Sequence, residues 1–315
     1  CPYSLLRVKL KEGNNLMRKY AIPNMRLGAT SFLLHETYVP AVRFAAERCD
    51  DVALLLVEPG EHSEYLATPG EIAEIGRIIA GESATLHVHL PTDADFDTWQ
   101  GARSMIGKIR RVAELTGPLD PHSFVLHVDF PSLHGTGGEP SAEQQEWTAE
   151  ALREIAACLP APERLAVENL ETYAPSFWDR WLAGTPYSRC LDVGHIWKDG
   201  GDPAPVLAAW LPRVRVIHLH GLEPRGSEAD AAKPQGQQKA PEKLAERNLS
   251  RLFGPRPRDH KSLRLMPPEF VDDVMHPLWK TGFSGVLNLE VFSVEDFTAS
   301  HAVLMHSWER YAASS

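Results

Sequence analysis

Eight short β-rich runs, each followed by a helical stretch, constrain this chain more than any other feature of its sequence. The runs are Arg26–Ser31, Val52–Glu58, Thr85–His89, Ser123–His127, Leu165–Glu168, Arg189–Asp192, Val214–His220 and Val286–Glu290. Strands that alternate with helices pair in parallel, because each helix carries the chain back to the edge where the next strand begins. Eight such units in 315 residues suit a closed (β/α)8 TIM barrel better than an open doubly wound sheet. No glycine-rich dinucleotide or phosphate loop follows any strand.

Local signals place several helices. Thr68-Pro69 reads as N-cap and first residue of one that ends before Gly81. Ser141 with Gln144 reads as a capping box ahead of a helix over Glu146–Leu159. Pro267-Pro268 opens another that stops before Gly282, and Ser293 precedes a last helix over Val294–Tyr311. Residues 1–25 precede the alternation and read as an irregular N-terminal extension to a single barrel domain over 26–315. Residues 222–258, rich in Glu, Lys, Pro, Gln and Gly, are too long for an ordinary strand-to-helix loop and read as a flexible lid over the site.

Composition excludes several classes. The net charge of −10, with only short basic groups, disfavours a nucleic-acid partner, which is usually met by a basic patch. No run approaches the roughly 18 apolar residues of a membrane span, so no membrane partner is expected. The four cysteines lie far apart with no Cys-x-x-Cys pair, which fits a reducing, cytoplasmic setting.

Active sites of such barrels collect at the C-terminal ends of the strands. There the sequence sets His89, His127, Glu168, Asp192 with His195, His218 with His220, and Glu290; Asp259-His260 closes the long insertion. One histidine at a strand end is usually a packed or hydrogen-bonded residue. A ring of imidazoles and carboxylates on six successive strands is different, because unpaired buried charge is costly and cations relieve it. Imidazole and carboxylate without thiolate suit Zn, Mn, Fe or Co, and the candidates are too many for one ion, so two or three divalent ions are expected. Glu168 has the two oxygens needed to bridge ions. Glu58, Asn169 and His220 are the candidate substrate contacts, Asn169 also as a residue that orients ligands. His87 shares the His89 face one layer deeper and reads as a core histidine.

The strand-end pattern resembles the xylose isomerase-like barrels that include the endonuclease IV family, over about residues 26–311. The segments Leu27-Gly28-Ala29-Thr30-Ser31, Val88-His89-Leu90-Pro91-Thr92-Asp93, Val167-Glu168-Asn169-Leu170, Leu191-Asp192-Val193-Gly194-His195, Val216-Ile217-His218-Leu219-His220-Gly221 and Asp259-His260-Lys261-Ser262-Leu263 look like the cobamide-remodelling phosphodiesterases of the same superfamily. The resemblance implies a metal-dependent hydrolase that cleaves the phosphodiester in the nucleotide loop of vitamin B12-type cobamides, so its partner would be a small corrinoid. It implies one ion on His89, His127 and Glu168, a second on Glu168, Asp192, His218 and Glu290, and a third on His195, Asp259 and His260, with Glu168 and Glu290 as catalytic carboxylates. The chain departs from the pattern at Gly28-Ala29-Thr30-Ser31, where Gly-Thr-Thr-Ser is usual. It departs again at Asp259-His260, which lacks a spacer: neighbours on an extended chain point opposite ways, so these two share an ion only if the backbone turns there. Two alternatives on the same barrel are an abasic-site DNA endonuclease and a sugar isomerase or epimerase. The latter needs only the ligand set of the fifth to eighth strands.

Overall fold

A computed structural model describes residues 20–56, 66–224, 253 and 257–314. Eight parallel strands close into a barrel. They are β1 (Arg26–Thr30), β2 (Asp51–Leu55), β3 (Thr85–His89), β4 (Phe124–Leu126), β5 (Leu165–Glu168), β6 (Ser188–Asp192), β7 (Val214–Leu219) and, eighth in the barrel, β10 (Val286–Leu289). Each pairs with its sequence neighbour, and β10 closes the ring onto β1. Around them stand α1 (Tyr38–Ala46), α2 (Pro69–Gly81), α3 (Trp99–Thr116), α4 (Ala142–Ala157), α5 (Asp179–Leu182), α6 (Val193–Lys198), α7 (Pro203–Trp210), α8 (Pro268–Thr281) and α9 (Val294–Ser314).

The expected helix signals are in place, with shifted ends. Thr68 and Glu71 form a capping box on α2, but the helix runs through Gly81 instead of stopping before it. Ser141 and Gln144 cap α4 directly, so that helix starts at Ala142, one turn earlier than the apolar spacing suggests. Gly282 ends α8 in the left-handed region, φ 67°, where glycine carries no Cβ penalty. Helix α9 follows the Ser293 cap, whose Oγ accepts from the Asp296 N–H at 3.1 Å. Strand β2 is shorter than its apolar run, ending at Leu55. The outer strand faces (Leu27, Leu54, Val88, Leu126 among them) pack under helix residues such as Ile75, Ile109, Ile155 and Val271 in one buried core. Each such side chain removed from water stabilises the barrel by about 1.5–3 kcal/mol before the entropy cost.

Two parts of the reading fall largely outside the described residues. Of the expected N-terminal extension, residues 20–25 are described: Tyr20 and Ile22 are buried, and the Tyr20 hydroxyl meets Thr298 Oγ1 at 3.0 Å. The expected lid at 222–258 falls largely outside the described residues, but its ends are ordered. Strands β8 (Gly221–Glu223) and β9 (Arg258–Lys261) pair antiparallel as a small ribbon above the C-terminal end of β7. Gly221 lets the ribbon close, since a Cβ there would lie 2.3 Å from the Ser262 carbonyl oxygen.

Inside the barrel, Val125, Ala166, Cys190 and Val216 form a small dry cluster, all fully buried. Side chains on a strand repeat every two residues. The residues two further along the same chains therefore face inward as well, one level nearer the C-terminal mouth: His127, Glu168, Asp192 and His218.

Candidate metal centre at the C-terminal mouth of the barrel

Glu168, at the end of β5 and almost wholly buried, is the hub. Its Oε2 lies 3.3 Å from His89 Nε2 and 3.1 Å from His127 Nε2, and its Oε1 lies 3.0 Å from His218 Nδ1. His218 Nδ1 is also 3.1 Å from Glu290 Oε2 and 3.9 Å from Asp192 Oδ2. A second cluster flanks this one. The donor atoms of His195, His220 and His260 fall within 4.8 Å of one another, and His220 Nε2 is 3.4 Å from Asp192 Oδ1. Asp192 also caps α6, accepting the His195 N–H at 2.7 Å, so the Asp-x-x-His spacing places both side chains at one corner of the mouth.

Three of the histidines are oriented through the backbone. Nδ1 of His89, His195 and His260 meets the carbonyl oxygens of Leu90, Asn169 and Glu290 at 2.9, 2.9 and 3.1 Å. Those carbonyls select the tautomer with the proton on Nδ1, which leaves the Nε2 lone pair facing the site, as metal-liganding histidines require.

The electrostatics describe a site built for cations. Burial alone would raise the Glu168 carboxyl, but His218 and His127 beside it hold it well below the usual range. Burial would likewise raise Glu290, and His218 and His260 hold it low. Burial would lower His195, yet Asp192, Glu171 and Glu168 around it raise it to about 9. Several polar atoms here are buried without a hydrogen-bond partner: Asp192 Oδ2, His218 Nε2 and His220 Nε2. Such orphaned atoms cost about 1–3 kcal/mol each, and a coordinated ion is one remedy. Donor set, tautomers and orphaned atoms all fit divalent transition metals. Cys190 lies just beneath, and burial pushes its thiol up, away from the thiolate a metal would take.

The structure thus brings together His89, His127, Glu168, Asp192, His195, His218, His220, His260 and Glu290. Asp259 has another partner. The backbone does turn, with His260 at φ 51°, but the turn sends Asp259 to an ion pair with Lys198 on α6, not to the histidines. His220 joins His195 and His260 there, because Leu219 alone separates it from His218 on the same inward face. Asn169, expected at the substrate, is 3% exposed and staples β5 to β6: its Nδ2 donates to the Asp192 carbonyl at 2.8 Å and its Oδ1 accepts the Asp192 N–H at 2.9 Å. Its backbone carbonyl, not its side chain, takes the His195 contact above. Glu58 lies outside the described residues. His87 is fully buried one layer down, as expected.

The sequence reading missed Glu171 and Lys198. Lys198 Nζ donates to Glu171 at 2.8 Å as well as to Asp259, and Glu171 Oε2 is 3.5 Å from His195 Nε2. The next residue, Thr172, holds φ 72°, strained for a β-branched side chain, and its N–H is fixed by Asp199 at 2.7 Å. Nothing in the alternation marks that turn; the signal was a second carboxylate three residues beyond Glu168.

No family model matches the chain, and no curated protein matches it in sequence. Solved structures do match. A D-tagatose 3-epimerase-like protein is 16% identical, with 92% of this chain and 99% of that one covered and a TM-score of 0.63. A xylose isomerase domain protein from Planctomyces limnophilus is 11% identical, with 92% and 98% covered and a TM-score of 0.61. A probable 3-DHS dehydratase of petrobactin synthesis from Bacillus anthracis is 14% identical, with 89% and 98% covered and a TM-score of 0.58. The chain has the xylose isomerase-like barrel fold. At these identities the likeness speaks for the fold alone.

Proposed function

We propose that the chain is a divalent-metal-dependent enzyme that hydrolyses a phosphodiester, with the nucleotide loop of a cobamide as the substrate. The observation that carries the reading is the surplus of donors. One ion for sugar chemistry needs a single set such as Glu168, Asp192, His218 and Glu290. Five more imidazoles, on His89, His127, His195, His220 and His260, surround that set and share Glu168 and Asp192 with it. Ions held by these sets supply Lewis acidity, a lowered pKa for water and neutralisation of phosphate oxygens. Glu168 holds His89, His127 and His218 in place from 1% exposure, whereas the Glu290 side chain is 12% exposed and is the carboxylate better placed to orient the attacking water. The choice of a corrinoid rests on the sequence motifs that ring the mouth.

A second reading, sugar isomerisation or epimerisation, is supported by the comparisons, which include a D-allulose 3-epimerase, a 3-keto-D-glucoside 4-epimerase and an L-ribulose 3-epimerase. One experiment separates the two. Metal-loaded protein is incubated with a cobamide and, separately, with ketohexoses, and products are followed by mass spectrometry and sugar chromatography. Loop cleavage that falls by about 10²–10³-fold or more in Glu168→Gln supports the phosphodiesterase. Intact cobamide together with metal-dependent sugar turnover replaces it with the epimerase.

A further inference from the structure

A second set of metal-type donors lies deeper in the barrel, toward its N-terminal end, with the His87 ring 6.3 Å from that of His218. Asp51 opens β2, His87 lies in β3, and His122 stands just before β4. Nδ1 of His87 is 2.5 Å from Asp51 Oδ1, and Nε2 of His122 is 3.0 Å from Asp51 Oδ2. The donor atoms of all three lie within 4.8 Å of one another. Asp51 and His87 are fully shielded from water, while the His122 side chain keeps 21% of its surface exposed and provides a way in. Thr85 Oγ1 donates to Asp51 Oδ2 at 2.5 Å, and the His122 carbonyl accepts from Arg215 Nη1 at 3.0 Å, so carboxylate and backbone are held from outside the cluster.

We propose that Asp51, His87 and His122 bind one divalent transition-metal ion of the zinc type, separate from the ions of the C-terminal mouth. Two imidazoles and one carboxylate form a common donor set for such ions. Bonds of about 2.0–2.2 Å ask only that the two rings draw back slightly from the carboxylate they now touch. The place argues for a structural ion. The N-terminal face of these barrels carries stability and not chemistry, and an ion here joins the starts of three adjacent strands. An ion that binds only the folded chain stabilises it by mass action.

The test uses the full chain loaded with zinc and desalted. Elemental analysis of His122→Ala should give one equivalent per chain fewer than the unsubstituted protein, while His127→Ala, at the mouth, should keep the N-terminal ion. Because His122→Ala could fold poorly, a measurement without substitution stands beside it: anomalous diffraction at the zinc edge. A peak bounded by Asp51, His87 and His122 supports the site. Anomalous density confined to the mouth, or equal zinc content in His122→Ala and the unsubstituted chain, overturns it and leaves the three residues as a buried ion pair with a neighbouring imidazole.

Discussion

Glu168 presents each of its two oxygens to imidazoles from different strands, and that explains why one carboxylate can organise a whole mouth. His220 has a comparable weight in the flanking cluster. Asp259→Asn should leave the number of bound ions unchanged, because Asp259 is paired with Lys198, whereas His220→Ala should remove one; equilibrium dialysis against zinc distinguishes the two variants. Glu171 gives a pH signature. Burial would raise its carboxyl, but His195 and Lys198 lower it from 4.5 to about 2. A group with a depressed folded-state pKa contributes stability that is present above its unfolded value and lost as pH falls through its folded value. Glu171→Gln should therefore flatten the loss of stability between pH 4.5 and pH 2, read as urea midpoints at each pH. The ring of ligands was legible residue by residue because strand side chains alternate. The partner of Asp259 was not, since it depends on a backbone turn at His260 that no neighbouring glycine or proline signals.

At the scale of elements, the strands explain themselves. Val125-Leu-His127, Ala166-Val-Glu168, Cys190-Leu-Asp192 and Val216-Ile-His218 repeat one rule: an inward apolar residue, an outward apolar residue, then an inward ligand. That rule made the barrel strands readable. The β8–β9 ribbon was not readable, because Arg-Asp-His-Lys has no apolar alternation to mark it as a strand. The start of α6 is more tightly determined than its length suggests. A Cβ on Gly194 would fall 2.0 Å from His220 Cε1, so the helix can pass the ring only because that residue is glycine. Gly194→Ala should displace His220 and abolish the same ion that His220→Ala removes, with the barrel intact by circular dichroism. Thr68→Ala, which breaks the capping box of α2, should cost about 1 kcal/mol in thermal or urea unfolding and leave metal content untouched.

Taken whole, the molecule is an acidic barrel of net charge −10 with buried carboxylates at both ends, and no helix among the described residues is long and apolar enough to cross a membrane. Removing ions from such an interior leaves carboxylates facing one another in low dielectric, so extensive chelation should lower the melting temperature by several degrees, measured by scanning calorimetry with and without added zinc. The fold could be read from the alternation, because eight repeats over one chain leave few architectures. The substrate could not, because barrels of one fold host many activities, and Glu58 and most of 222–258 lie outside the described residues.

The small ribbon of β8 and β9 has a consequence for how such a protein can change over time. It clamps Glu223 against Arg258 and fixes the two ends of the intervening stretch side by side, whatever that stretch contains. Doubling the length of a flexible loop between fixed ends adds only about 0.6 kcal/mol of closure cost. A longer or shorter connection between those two ends would therefore leave the paired strands, and His260 within β9, where they are.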